Sequence, residues 1–144
     1  MGSANATRVL LVDDDPAMLR SMEAVLADHF SVQTCASARE ALRLVERQQF
    51  DVVCLDWRMP EMDGIEFFGS LERKLGDKMP CCILVTAHAA ELLDQLSLES
   101  KKMLGMLRKP FSPRELIERV SLFASLSRMK SSNSRLKAVM KGAG

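Results

Sequence analysis

The sequence predicts an α/β fold: five parallel strands covered on both faces by five helices. Short apolar runs (VLLV at 9–12, VVCL at 52–55, CCILV at 81–85) lack the alternation of a half-exposed strand and read as strands buried on both faces. Between them lie segments whose apolar residues recur at helical spacing. Strands and helices in alternation build a parallel sheet with crossover helices. A third observation concerns where the runs stop. Asp13-Asp14-Asp15, Asp56, Thr86 and Lys109 each stand at the end of a strand, and the carboxyl edge of such a sheet is where open α/β folds bind their ligands.

Each element has its own signal. Residues 1–7 are small and polar and read as a disordered start. After the first strand, Asp15-Pro16 supplies an acidic cap and a proline at the first helical position. The helix runs to about Ala27, with Leu19, Met22, Val25 and Leu26 at helical spacing. A short strand follows at 32–35. Ser37 with Glu40 three residues on forms a capping box that opens a second helix to about Gln48. The third strand leads through DVVCLDWRMPEMDG at 51–64 into a helix from about Ile65 to Leu75, ended by Gly76-Asp77. The fourth strand closes with Thr86-Ala87-His88. A helix from Ala89 to about Glu99 places Leu92, Leu93 and Leu96 on one side, and a weak strand at 104–108 precedes Lys109-Pro110. Ser112-Pro113-Arg114-Glu115 is both a capping box and a helix-opening proline, launching a last helix through at least Leu126.

Composition narrows the function classes. At 144 residues, 47% hydrophobic and 27% charged, the chain is sized for one folded domain. No apolar run approaches the roughly 20 residues of a membrane helix and no signal peptide opens the chain, so a cytoplasmic location is expected. The net charge of +1 hides a polarity: beyond Glu118 there are six basic residues and no acid, which leaves 14 basic against 19 acidic in the body, or −5. An acidic body argues against direct nucleic-acid binding by this domain. Cys35, Cys54, Cys81 and Cys82 lie in or beside apolar runs without metal-site spacing and read as reduced core thiols.

Right-handed crossovers put every strand's carboxyl end on the same edge. Asp13, Asp14, Asp56, Thr86 and Lys109 are therefore expected to converge. Three carboxylates within a few ångströms repel one another unless a cation is present, and a hard divalent ion with oxygen ligands, Mg²⁺, resolves that conflict. A lysine and a hydroxyl remain to hold further anionic oxygens. In outline this is a phosphoryl-transfer site with a carboxylate nucleophile.

The constellation resembles the receiver domain of two-component response regulators. The residues that carry the resemblance are Val12-Asp13-Asp14, Asp56 followed by Met59-Pro60 and Met62-Asp63-Gly64, Thr86-Ala87, and Lys109-Pro110-Phe111. The likeness implies a flavodoxin-like, doubly wound sheet of strand order 2-1-3-4-5, with a receiver domain at 8–127. It implies that Asp56 is the phosphoacceptor, that Asp14 binds Mg²⁺ directly and Asp13 largely through water, and that the Arg58 carbonyl completes the protein ligands. Lys109 would pair with the phosphoryl oxygens across a cis peptide bond to Pro110, and Thr86 would swing in to carry the signal outward. The implied partners are a sensor histidine kinase or histidine phosphotransfer protein and an output domain or protein. Such a module catalyses only its own phosphorylation and dephosphorylation, so it is not expected to be an enzyme in the ordinary sense.

Some positions depart from the family. Three before the lysine, where Tyr or Phe is usual, this chain has Met106, which predicts a weaker or differently built switch on the side of the fourth helix and fifth strand. The positions that tune phosphoryl lifetime in the family are Arg58 and His88. Arg58 either shields the acyl phosphate or points into solvent, and His88 reads as a surface residue. Trp57 reads as a partly buried neighbour of the nucleophile. Two rivals stay open. One is an interaction module of this fold that does without phosphorylation, which Met106 alone favours. The other is a metal-dependent phosphatase, whose spaced acids are absent here.

The tail at 128–144 carries a pattern of its own. Leu122, Leu126, Met129, Asn133, Leu136 and Met140 are spaced 4, 3, 4, 3, 4, a heptad seam with Asn133 at an a-type position. This reads as a coiled-coil lead toward an output domain, with a homodimer through the C-terminal helix. Ser131, Ser132, Asn133 and Ser134 are poor helix formers and favour the alternative, a basic linker.

Overall fold

The computed structural model describes residues 6–96 and 104–143, with side chains as far as Lys130. Five strands, β1 (Arg8–Val12), β2 (Ser31–Cys35), β3 (Val52–Asp56), β4 (Cys81–Thr86) and β5 (Leu104–Arg108), form one parallel sheet in the order β2-β1-β3-β4-β5. The helices are α1 (Pro16–Leu26), α2 (Ala38–Arg47), α3 (Gly64–Leu75), α4 (Ala89–Gln95) and α5 (Pro113–Ala143). A 3-10 turn, Gly76–Lys78, follows α3. Fold class and strand order agree with the sequence reading. The fourth helix ends at Gln95, with Leu96 extended where the sequence reading had it helical; the part expected at 97–99, and residues 1–5 of the expected polar start, lie outside the described residues.

Alternate residues along each strand face opposite ways, and both faces are apolar. Leu10, Val12, Val53, Leu55, Cys82 and Leu84 pack under α2, α3 and Leu92 of α4. Val9, Leu11, Val52, Cys54, Ile83 and Val85 pack under α1 and α5. This explains the unbroken apolar runs: the three central strands have no wet side. All four cysteines are free and buried, Cys35, Cys54 and Cys82 within these layers. No helix among the described residues is long and apolar enough to cross a membrane.

Helix starts follow the capping chemistry. The Asp15 carboxylate accepts from the Ala17 N–H at 3.0 Å, with Pro16 at the first helical position. Ser37 accepts from the Glu40 N–H at 3.4 Å. In the second capping box both bonds form: the Glu115 N–H donates to Ser112 Oγ at 3.1 Å, and the Ser112 N–H donates to Glu115 Oε1 at 3.3 Å. Asp63 caps α3 by accepting from the Glu66 N–H at 2.8 Å, so that helix begins at Gly64, one residue before the sequence expectation.

Two glycines are demanded by close approach. A Cβ on Gly64 would lie 2.5 Å from Leu84 Cδ2 and 3.3 Å from the Trp57 backbone, and one on Gly105 would strike the Phe123 ring of α5. Gly64 thereby lets the start of α3 press against the loop that follows Asp56. Thr7 is buried, its carbonyl accepts from the Ser31 N–H at 2.8 Å, and its hydroxyl accepts from the Arg128 guanidinium of α5. The end of the expected polar start is thus tied to the sheet and to the last helix.

Candidate functional site

Strand polarity places the functional side chains. β1 ends at Val12 and hands Asp13 and Asp14 to the loop before α1, while β3, its hydrogen-bonded neighbour, ends in Asp56 itself. One carboxylate oxygen from each of Asp13, Asp14 and Asp56 falls within 4.8 Å of the others. Lys109, just past the end of β5, directs its ammonium to within 3.5 Å of Asp56 Oδ1. Its backbone N–H donates to the Thr86 carbonyl at 2.7 Å, which fixes the lysine to the end of β4, and the Lys109–Pro110 peptide bond is cis.

The three acids are not equivalent. Asp13 is buried, Asp56 is half-buried and Asp14 is exposed. Asp13 Oδ1 accepts from the Asp15 N–H at 2.9 Å, which aims that carboxylate. Burial pushes the Asp13 carboxyl above the usual range; the bond from Asp15 opposes this, and the charge of Asp56 adds to it. Burial likewise raises Asp56, against the pull of Lys109 and with a further push from Asp14. Both shifts record one conflict: negative charge gathered in a partly desolvated pocket with a single lysine against it.

Thr86 is buried at the end of β4, where its neighbour Val85 pairs with Asp56. Its hydroxyl accepts from the His88 N–H at 2.8 Å. His88 is exposed at the start of α4, and its side chain makes no capping bond. Met106 lies opposite Leu84 in the β4–β5 pairing, partly buried against the layer that holds Leu92. Trp57 is more enclosed than its sequence position suggested. It is 3% exposed, and its Nε1 is the one buried side-chain nitrogen or oxygen without a hydrogen-bond partner among the described residues.

Arg58 is exposed, as one of its two sequence readings had it, but it is not free there. Its guanidinium pairs with Glu91 of α4 and stacks on the Trp57 ring, 4.8 Å from the centroid. Glu91 carried no signal in the sequence, because its partner is 33 residues away. Beside the site, a cleft of about 560 Å³ opens between α1 and the β5–α5 loop, lined by Met18, Met22, Val25, Lys109, Phe111 and Leu116.

Comparison with known proteins gives a consistent picture. A sequence model of the response regulator receiver domain matches residues 9–121. The chain is 34% identical over 119 residues to the transcriptional regulatory protein GlrR of Escherichia coli, covering 82% of this chain and 26% of that protein. It is 33% identical over 121 residues to the response regulator MprA of Mycolicibacterium vanbaalenii, covering 78% of this chain and 48% of the relative. The chain thus spans between about a quarter and a half of these two regulators. Among solved structures, the chemotaxis response regulator CheY4 of Vibrio cholerae superposes with a TM-score of 0.72 at 30% identity, covering 83% of this chain and 99% of that one.

Proposed function

Because the chain belongs to the response regulator receiver domain family, we propose that it is a phosphoacceptor switch of a two-component system, phosphorylated on Asp56 by the phosphohistidine of a sensor kinase or phosphotransfer protein. The observation that carries this reading is the meeting of Asp13, Asp14 and Asp56 within 4.8 Å, with the Lys109 ammonium 3.5 Å from the central acid. An apolar cleft next to Lys109 gives a donor protein a surface beside the acceptor.

The donor set fits Mg²⁺. It is all oxygen, it carries excess negative charge, and a spread of up to 4.8 Å accommodates one octahedral ion with water filling the remaining positions. Asp14 and Asp56 would hold the ion directly, Asp13 largely through water, and the Arg58 carbonyl would complete the protein ligands. When bound, Mg²⁺ supplies neutralisation of the phosphoryl oxygens in transfer.

The protein groups divide the remaining work. An Asp56 oxygen attacks phosphorus, the P–N bond to the donor imidazole breaks, and that nitrogen leaves with the electron pair and takes up a proton. Lys109 opposes the effect of burial on Asp56, favouring its carboxylate, and then pairs with a phosphoryl oxygen. Thr86 exchanges the His88 N–H for the phosphoryl group, donating its own hydroxyl proton into the new bond. Hydrolysis removes the modification: water attacks phosphorus, the P–O bond to Asp56 breaks, the carboxylate is regenerated, and inorganic phosphate leaves with the water's oxygen while a proton is released. This is self-modification, without turnover of a separate substrate.

With Met106 at the relay position, the response on the α4–β5 side is softer than an aromatic ring would give. The relatives named as regulators, one of them transcriptional, support an output carried by a separate module and acting in the cytoplasm. The test is incubation with a small phosphoryl donor and Mg²⁺, read by intact mass. One base- and hydroxylamine-labile phosphoryl group per chain is expected, lost in Asp56→Asn and on chelation. No incorporation, or incorporation undiminished in Asp56→Asn, would overturn the proposal.

A further inference from the structure

Three large apolar side chains lie bare along one strip of α5: Leu122 is 54% exposed, Leu126 42% and Met129 62%. The opposite strip holds the domain together. Leu116, Val120 and Ala124 are buried there, and Phe123 lies on Gly105. The sheet therefore uses one seam of this helix and leaves another uncovered. The bare strip has spacing 4 and 3, the sequence continues that spacing through Asn133, Leu136 and Met140, and the helix itself runs on to Ala143. Arg128 is bonded to the Thr7 hydroxyl and Lys130 to the Met79 carbonyl. Past Lys130 there is about 20 Å of further helix.

We propose that this strip is the seam of a parallel, in-register coiled coil between two copies of the chain. A 4-3 spacing repeats every 3.5 residues, which keeps a two-in-seven stripe facing a partner helix along its whole length. Leu126, Asn133 and Met140 take the a positions; Leu122, Met129 and Leu136 take the d positions. A helix lying on a membrane presents a broad apolar face, whereas this stripe is narrow and has an asparagine within it. That asparagine meets its own equivalent, and can bond to it, when the two chains run parallel and in register.

The charges select the same arrangement. Lys130 and Lys137 fall at e positions. In a parallel pair they stand across from the g positions of the other copy, Ser125 and Ser132, so no like charges meet. In an antiparallel pair e faces e, which sets lysine against lysine. The segment also has reason to need a partner. It has no acid after Glu118 with which to form ion pairs along the helix, and Ser131, Ser132, Asn133 and Ser134 are poor helix formers, so association with a second helix stabilises it more than its own propensity does.

The mass of the whole chain in solution tests the proposal. A species of about 32 kDa is expected, twice the 16.0 kDa of one chain. Leu126→Lys with Met129→Lys should shift it to the single-chain mass with the domain still folded, its melting temperature falling no further than that of wild type diluted to the single chain, because both side chains are exposed. Met140→Cys should crosslink to itself under mild oxidation, an outcome easily read because the four native thiols are buried. Asn133→Leu should tighten the dimer at least tenfold and admit larger assemblies. A wild-type chain monomeric at every concentration, a dimer indifferent to the lysine substitutions, a dimer that fails to crosslink through Met140→Cys, or a monomer that binds anionic vesicles through α5 would each overturn it.

Discussion

Asp13→Asn should make the metal-free protein more stable and the Mg²⁺-bound protein less so. Asn keeps an acceptor for the Asp15 N–H, which the native carboxylate takes at 2.9 Å, so the local geometry survives and only the charge is lost. Two unit charges 4.8 Å apart, the outer limit for Asp13 and Asp56, repel by about 3 kcal/mol at an effective dielectric near 20. Solvent at the half-open mouth of the pocket, and the lost attraction to Lys109, reduce the net gain to about 1–2 kcal/mol. For a domain of this size that is a rise in Tm of about 3–6 °C in chelator. If the proposed Mg²⁺ site binds only in the folded state, wild type should gain stability with Mg²⁺, while the variant, with one acid fewer, should gain much less. The two stability orders should therefore cross between chelator and saturating Mg²⁺. The pH dependence carries the same sign. Asp13 and Asp56 hold protons more tightly folded than unfolded, so metal-free wild type loses stability as pH rises from about 4 through their folded-state titrations, and the variant loses less. Urea unfolding in chelator and in Mg²⁺ across that range is the assay. A variant less stable than wild type in chelator at neutral pH, or one gaining as much from Mg²⁺, would refute the reasoning.

Three further outcomes follow from the packing and charges. Gly64→Ala should cost about 1–3 kcal/mol in urea unfolding, because its methyl would lie 2.5 Å from Leu84 Cδ2 with backbone on the other side. Lys109→Met should strengthen Mg²⁺ binding by up to about tenfold, or 1.4 kcal/mol, by removing a cation 3.5 Å from Asp56, while slowing phosphoryl uptake; titration followed by Trp57 fluorescence and phosphorylation kinetics separate the two effects. Thiol titration of the native protein should find no fast-reacting cysteine, since burial pushes Cys54 up to about 12 and raises Cys82 as well, whereas all four should react in denaturant.

Much of this was legible in the sequence, for identifiable reasons. A strand buried on both faces has to be apolar throughout, so β1, β3 and β4 announce themselves, and a parallel sheet has to bring their ends to one edge. That is why Asp13, Asp14, Asp56 and Lys109 could be gathered from positions nearly a hundred residues apart. The capping pairs at Asp15, Ser37 and Ser112 worked because each bond is local. What escaped depends on contacts distant in sequence. The Arg58–Glu91 pair and the tie between Thr7 and Arg128 join side chains with no mutual signal in the chain. The helical course of α5 through Ser131, Ser132, Asn133 and Ser134 runs against their intrinsic propensities, so a residue-by-residue reading left a linker open. The enclosure of Trp57 follows from Gly64, whose missing side chain lets α3 approach the loop.

The Thr86 hydroxyl is already occupied: it holds the backbone amide at the doorway of α4. In the proposed switch, that amide is what the hydroxyl would give up on turning toward Asp56, so modification of the acid and loosening of the helix entrance would be two halves of one exchange. Such a hinge would work through main chain as well as through any side chain that followed the threonine inward. On that reading the methionine at 106 would not sever the line of communication, because its first step would fall on an N–H group that every amino acid except proline provides.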